Sequence, residues 1–374
     1  MQEDPFKNFD KTFESEYKKA SKNIVKPNIL IIGGTGTGKS SLINLIFGED
    51  VAKSGVGMPV TRKIEKFESE TLPVVLYDSV GFEVGDSEFQ KNTINELMLF
   101  ADGLQSKKET DRIHLVWYCI QASGHRVTDW DNNLLLEFQK RNIPICVVFT
   151  KCDLVTEEEI SKMIPIVATK NVFLTTNSED FQPEFLDLNK LMKWSVDNLE
   201  TSLRLGFIKA QKINLEIKAS EARSILLQHT AGNSIVGFSP IPFSDAPILL
   251  ASQAAMIARI VNVYDLHWLE NQFKFIISGL GVGQLISQGG RLLVANLLKF
   301  IPVYGTVVGG SISAAVAGTI TSILGFSVSK MCFLLSELAI NGEEEKVKDF
   351  VNNFETAFGD ILKEEKYNNE RRQL

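Results

Sequence analysis

The sequence predicts a parallel α/β domain followed by an α-helical one. Three observations carry that expectation. Between residues 27 and 185, five short runs rich in β-branched residues alternate with helical stretches, the pattern of a parallel sheet. A glycine-rich segment stands between the first run and the first helical stretch. Beyond residue 185 the strand-like runs stop, and from 233 to 340 Gly, Ala, Ile, Val, Leu and Ser dominate.

The elements follow in order. Residues 1–26 carry Phe6, Phe9, Phe13 and Tyr17 at helical spacing and read as an amphipathic N-terminal helix. The strand-like runs are 28–32, 74–77, 113–120, 145–150 and 172–174, and they define a domain over 27–185. Val116 to Ile120, with Trp117 and Tyr118, reads as a buried strand, and Thr128 to Asp131 as the start of a capped helix. Residues 186–374 read as a helical domain with hydrophobic segments at 233–262 and 275–335. Within it, 186–232 forms one long helical pattern. The tail 341–374 is a charged amphipathic helix with Val347, Phe350, Val351, Phe354 and Phe358 on one face.

Composition sets bounds. The 374 residues leave room for two or three domains, and the 44% hydrophobic content supplies a sizeable core. A net charge of −7 without a Lys/Arg block argues against nucleic acid as the main partner. Cysteines stand at 119, 146, 152 and 332, with no C-x-x-C pair. That argues against zinc and a disulfide framework, and fits a reducing interior such as the cytosol. The segment 1–10 is polar and acidic, unlike a signal peptide.

The chemistry concentrates in the first half. Gly33, Gly34, Thr35, Gly36, Thr37, Gly38, Lys39 and Ser40 fit G-x-x-x-x-G-K-[ST], with a strand before and a helix from Ser41 after. Glycines let the backbone curl until its N–H groups face phosphate oxygens, and the helix N-terminus favours negative charge. Lys39 is expected on the β- and γ-phosphates, and the Ser40 hydroxyl on Mg²⁺. Asp78 to Gly81, at the end of a strand, fits a motif in which the carboxylate holds the magnesium shell and the Gly81 N–H meets the γ-phosphate. Thr150, Lys151, Cys152 and Asp153 end another strand and fit [NT]-K-x-D. Asp153 can accept from guanine N1–H and its exocyclic amine. Adenine offers no such pair, and sites of this type discriminate by factors of roughly 10⁴. The Lys151 stem can lie over the base. Thr61 is placed for a switch threonine on Mg²⁺, and Thr176 and Asn177 for main-chain support of the guanine.

These motifs, in the order GGTGTGKSSLIN, PVT, DSVG, TKCD and FLTTN, resemble translation-factor-class GTPases. The GKSSLIN run is similar to the Era, septin and dynamin-like branch, and the phosphate loop and FLTTN resemble immunity-related GTPases. The resemblance implies an α/β P-loop NTPase fold of the Ras-like G-domain type, GTP/GDP and Mg²⁺ as ligands, and GTP hydrolysis. Self-association through the G domain and membrane engagement are further implications. The second half, with FSPIPFSDAP from Phe238, QAAMIARI from Gln253, IPVYG from Ile301 and TSILG from Thr321, is similar to the YcjF-type helical domain. That likeness implies a bacterial type of protein and an association with membranes.

The pattern also departs from the family. Many GTPases place a water-orienting glutamine after the D-x-x-G glycine. Phe82 stands there, with Glu83, Arg62 and Arg126 as alternative helpers. Gly36 occupies the place of the Asn or Ser that binds a stimulating monovalent cation in some relatives. The expected function is therefore a slow, assembly- or partner-stimulated GTPase, catalytic through Lys39, Thr61 and Gly81. The alternative is a nucleotide-gated scaffold with little hydrolysis. Residues 300–329 carry no charge, long enough to span a bilayer. Their glycines also suit tight packing. A packed soluble domain, a reversibly inserting hairpin and a permanent anchor all remain open, so the expected location is cytoplasmic with membrane association as an option.

Overall fold

The computed structural model describes residues 5–48, 51, 58–61, 64–79, 87–124, 126–176, 187–236, 246–266 and 314–372. The chain divides into two units, one over Ile24–Asn214 and one formed by Met1–Asn23 with Leu215–Leu374. Helix α1 (Pro5–Lys22) opens the chain and belongs to the second unit.

The first unit is built on a seven-stranded sheet in the order β2-β3-β4-β1-β5-β6-β7. The strands are β1 (Asn28–Gly33), β2 (Met58–Thr61), β3 (Ile64–Phe67), β4 (Val75–Ser79), β5 (Leu115–Gln121), β6 (Ile145–Thr150) and β7 (Val172–Leu174). β4, β1, β5, β6 and β7 are parallel neighbours, as expected from their alternation with helices. β2 and β3 run antiparallel, which corrects the expectation of a parallel sheet to a mixed one. Sequence pattern missed both because each is only four residues long, β2 forms the sheet's edge and β3 lies next to it. β3 buries only Ile64 and Phe67 and exposes Glu65, and β2 contains Pro59, tolerated at an edge.

Helices cover both faces, so all six residues of β1 are buried. On one face Leu30, Ile32, Tyr77, Val116, Tyr118 and Phe149 pack under α3 (Ser87–Gln105) and α4 (Asp129–Lys140). The predicted cap of α4 forms: the Asp131 carboxylate accepts from Thr128 N and Oγ1 at 2.6 Å, and also accepts a hydrogen bond from the Tyr118 hydroxyl. On the other face Trp117 stacks on Phe47 of α2 (Lys39–Phe47), ring centroids 6.0 Å apart. A short helix, α5 (Glu157–Met163), lies between β6 and β7.

The same second face takes α6 (Leu188–Asp197) and α7 (Thr201–Ala210). Trp117 Nε1 donates to Ser195 Oγ at 3.2 Å, and Phe207 meets both Phe47 and Trp117 edge-on. A Cβ on Gly206 would lie 2.6 Å from the Val25 carbonyl oxygen and 2.8 Å from that of Pro73. These two helices lie beyond the expected boundary at 185, yet they group with the sheet, which places the division at 214. The expected long helix over 186–232 is thus three helices. Its last break is held by buried Gln211, whose side chain accepts from Asn214 N at 2.7 Å and donates to Asn214 O at 2.9 Å.

The helical unit contains α8 (Leu215–Val236), α9 (Ala246–Tyr264), α10 (Ala314–Ile340), α11 (Glu344–Asn352) and α12 (Phe354–Arg372). α1 packs on α9, with Phe13 fully buried and Asn262 Nδ2 donating to Ser21 Oγ at 3.1 Å. α8, α9 and α10 close tightly at Gly325, where a Cβ would meet Leu226 Cδ1 at 2.4 Å and Met256 Sδ at 3.1 Å. The expected single tail helix breaks at Asn353, and Phe354 and Phe358 are buried and stacked beyond the break. Among the described residues one helical segment, Thr321–Ile340, is long and apolar enough to cross a membrane, at mean hydropathy 1.7, and it is 50% buried inside the unit. A core helix passes the same test. The rest of the hydrophobic expectation, at 237–245 and 275–313, lies outside the described residues.

Candidate functional site

The candidate site gathers at the C-terminal ends of β1, β4, β6 and β7, where loops leave a parallel sheet. β1 runs into the loop 33–38, which turns at once into α2. Gly36 and Gly38 take φ of 74° and 91°, a left-handed conformation that side chains resist. Gly33 is needed for space, since a Cβ there would sit 2.6 Å from the Cys119 carbonyl oxygen. Thr37 closes the turn, donating from N at 3.3 Å and from Oγ1 at 2.9 Å to Gly34 O. Lys39 is buried, and its ammonium donates to Gly33 O at 3.0 Å and Gly34 O at 3.2 Å. Thr35, Ser40 and Ser41 are exposed on the same turn. The first N–H groups of α2 have no partner within their own helix, so they are available to an anion.

β4 lies beside β1 with Asp78 paired to Ile31, two residues before the loop. Asp78 Oδ1 is buried and has no hydrogen-bond partner. Burial raises the carboxyl to about 6; Lys39 opposes the shift and Glu65 adds to it. A buried, unsatisfied carboxylate oxygen beside a lysine is the kind of acceptor a hard dication satisfies, so the residues present fit Mg²⁺. The Thr61 backbone is in β2, paired to Ile64 of β3, which in turn pairs with Ser79, the residue after Asp78 in β4. Gly81 and Asn177 lie outside the described residues, as do Arg62, Phe82 and Glu83. Arg126 is exposed.

β6 delivers the third loop. Thr150 Oγ1 donates to Thr37 O, tying this loop to the phosphate-loop candidate. Lys151 adopts φ 55°, unusual for a residue with a side chain, and its ammonium donates to Gly36 O at 2.7 Å and to Gln121 Oε1 at 3.2 Å. Cys152 N donates to Thr175 O at 3.1 Å, which binds the loop after β7 to the loop after β6. Across that seam the buried Thr176 hydroxyl donates to Asp153 Oδ1. Cys152 is buried, and burial raises its thiol to about 11.

The structure therefore brings the glycine loop, Lys39, Asp78, Lys151 and Asp153 to one end of the sheet. Three contacts were not read from the sequence. Thr176 was expected to act through its main chain, but its hydroxyl orients Asp153. Thr150 and Gln121 join separate loops. A hydroxyl at both Thr150 and Thr176 was the available signal, because each stands where a strand meets its loop.

Residues 28–151 match the family model described as 50S ribosome-binding GTPase, and residues 207–356 match the one described as a domain of unknown function, DUF697. The chain is 29% identical over 182 residues to Rab-like protein 3 of Xenopus tropicalis, covering 43% of this chain and 73% of that protein. It is 23% identical over 229 residues to GTPase Era of Caldicellulosiruptor saccharolyticus, covering 56% and 71%. A crystal structure of a probable GTP-binding protein engB superposes with a TM-score of 0.34 and 18% identity, covering 46% of this chain and 97% of that one.

Proposed function

With residues 28–151 a P-loop GTPase domain and residues 207–356 a DUF697 helical domain as the premise, we propose that the chain is a slow GTP-hydrolysing switch stimulated by self-association or a partner. Guanine nucleotide binding and hydrolysis to GDP and phosphate are the chemistry of the domain. The rate, the stimulation and any membrane coupling are the proposal. The observation that carries the base assignment is Asp153, half-buried and held by Thr176 next to the glycine loop. An aspartate fixed at that place accepts from the two adjacent donors of guanine.

In this reading Gly33 to Ser41 supply backbone N–H donors to the phosphates, and Lys39 moves from its own loop carbonyls onto the β- and γ-oxygens. Ser40, Thr61 and Asp78 would hold Mg²⁺, which would supply positive charge against the charge that builds on the phosphate oxygens. The Gly81 N–H meets the γ-phosphate. Water attacks the γ-phosphorus and gives up a proton, the bond to the bridging oxygen breaks, and GDP and inorganic phosphate leave. Phe82 supports slow turnover, because a phenyl ring cannot orient the water as an amide does. Phe82 also favours a second reading, a nucleotide-gated scaffold. Single-turnover phosphate release separates the two: tight GTP binding without phosphate over hours sinks the switch.

The output we propose is self-association through the G domain, or apposition to a lipid surface by the helical unit, in a cytoplasmic protein. Thr321–Ile340 supports the lipid option by length and composition, while its half-buried state supports a packed core. GTP turnover measured against protein concentration, with and without liposomes, tests rate, assembly and lipid together. Rapid turnover at every dilution overturns the stimulated switch. Asp153→Asn tests the base: affinity moves from guanine to xanthine nucleotides, because an amide donates where the carboxylate accepts.

A further inference from the structure

Lys151 is fastened at both ends. Its main chain is held at φ 55°. Its ammonium has two acceptors from different parts of the chain, Gly36 O at 2.7 Å and Gln121 Oε1 at 3.2 Å. Gln121 is the last residue of β5, half-buried, and is one of no motif. Its amide has one workable orientation. An ammonium only donates, so the amide oxygen faces Lys151. The amide nitrogen then faces Ser123 Oγ, at 2.5 Å. Ser123 sits in the short turn Ala122–Gly124 that continues β5. The side chain of Gln121 is thus locked at its donor end and offers its acceptor to the lysine.

We propose that Gln121 is a positioning residue for the nucleotide. It holds the Lys151 ammonium beside Gly36, so that the lysine stem stays across the face of the guanine and the phosphate loop stays joined to the base loop. This rests on the reading of the site as a GTP site. Without the Gln121 acceptor, the ammonium keeps Gly36 O alone and shares its other protons with water, so the flexible stem gains freedom to swing off the base. The base then loses one wall, while its edge contacts with Asp153 remain. The effect therefore falls on how long the nucleotide stays, not on which base is chosen.

The test uses the full chain and the dissociation rate of a fluorescent GDP. Gln121→Leu is expected to speed dissociation about 3- to 10-fold, the range for a partly exposed charge-assisted hydrogen bond. The preference for GDP over IDP should stay as in the wild type. Gln121→Glu keeps an acceptor for Lys151 and loses the donor to Ser123, so it should restore slow dissociation. Lys151→Met should speed dissociation as well, and adding Gln121→Leu to it should have no further effect. The proposal is overturned if Gln121→Leu releases GDP at the wild-type rate, if Gln121→Glu is as fast as Gln121→Leu, or if the double variant shows the full product of the two single effects. A wild-type protein that binds no GDP overturns the site reading itself, and this inference with it.

Discussion

Asp78 carries a conflict between stability and binding. Its folded value of about 6 stands above the ordinary 3.8, because burial disfavours the carboxylate. The folded, ligand-free chain therefore holds that proton more tightly than the unfolded chain, and loses stability as pH rises through the interval between those values. At pH 7 the ionised carboxylate is buried with Oδ1 unsatisfied, at a cost of about 1–3 kcal/mol. Asp78→Asn should accordingly raise the melting temperature in EDTA without nucleotide, and remove most of the added stability that Mg²⁺ and GDP give the wild type. A lower melting temperature in EDTA would contradict this account. The residue scale was also the most legible in sequence. Lys39, Asp78 and Asp153 each stand in a spacing that only a few backbone shapes can use. What spacing could not show is the cross-linking between loops, such as Thr150 to Thr37, because it depends on which strands become neighbours.

At the scale of elements, the start of β1 and β5 is pinned by a network that no motif announced. Asn28 N donates to His114 Nδ1 at 2.8 Å, which leaves the proton on Nε2, facing Glu109 O at 2.9 Å. The Asn28 amide donates to Thr110 O at 3.0 Å and Arg112 O at 2.7 Å. Burial lowers the His114 value below 6.5, against a smaller opposing pull from Glu109. The unfolded chain then takes up the proton first as pH falls, so this unit loses stability below about pH 6.5. Denaturation midpoints from pH 7 to 5 should decline. In His114→Asn, which keeps an acceptor near Nδ1 and cannot titrate, the decline should be shallower; an equal slope would assign the effect elsewhere. Strands with continuous β-branched runs, such as β1 and β6, were visible because both of their faces are buried. β2 and β3 were not, because both are short, and β3 buries only its two terminal residues. α6 and α7 read as one helix with α8, since amphipathic spacing carries on across breaks that a side chain such as Gln211 fixes only in three dimensions.

At the scale of the molecule, one unit is assembled from the two ends of the chain and the other is a single uninterrupted stretch. The amphipathic stripe of α1 is legible through Phe13 and Tyr17, but nothing in it names α9 as the partner, because a stripe specifies a face and not what covers it. Phe13→Ala should destabilise the helical unit by about 3–5 kcal/mol, the usual range for deleting a fully buried aromatic ring. Hydrogen exchange should quicken in 246–264, while GDP affinity stays unchanged; weakened GDP binding would show that the units do not respond separately. The arrangement also imposes a timetable on synthesis. Ser21 bonds to a residue 241 positions later. At about 5–20 residues per second, α1 waits on the order of 10–50 s for its partner helix, while the unit over Ile24–Asn214 is completed in between. For that interval its aromatic face is without a partner in its own chain, so a nascent-chain binding factor has a window on α1 that closes only when α9 arrives.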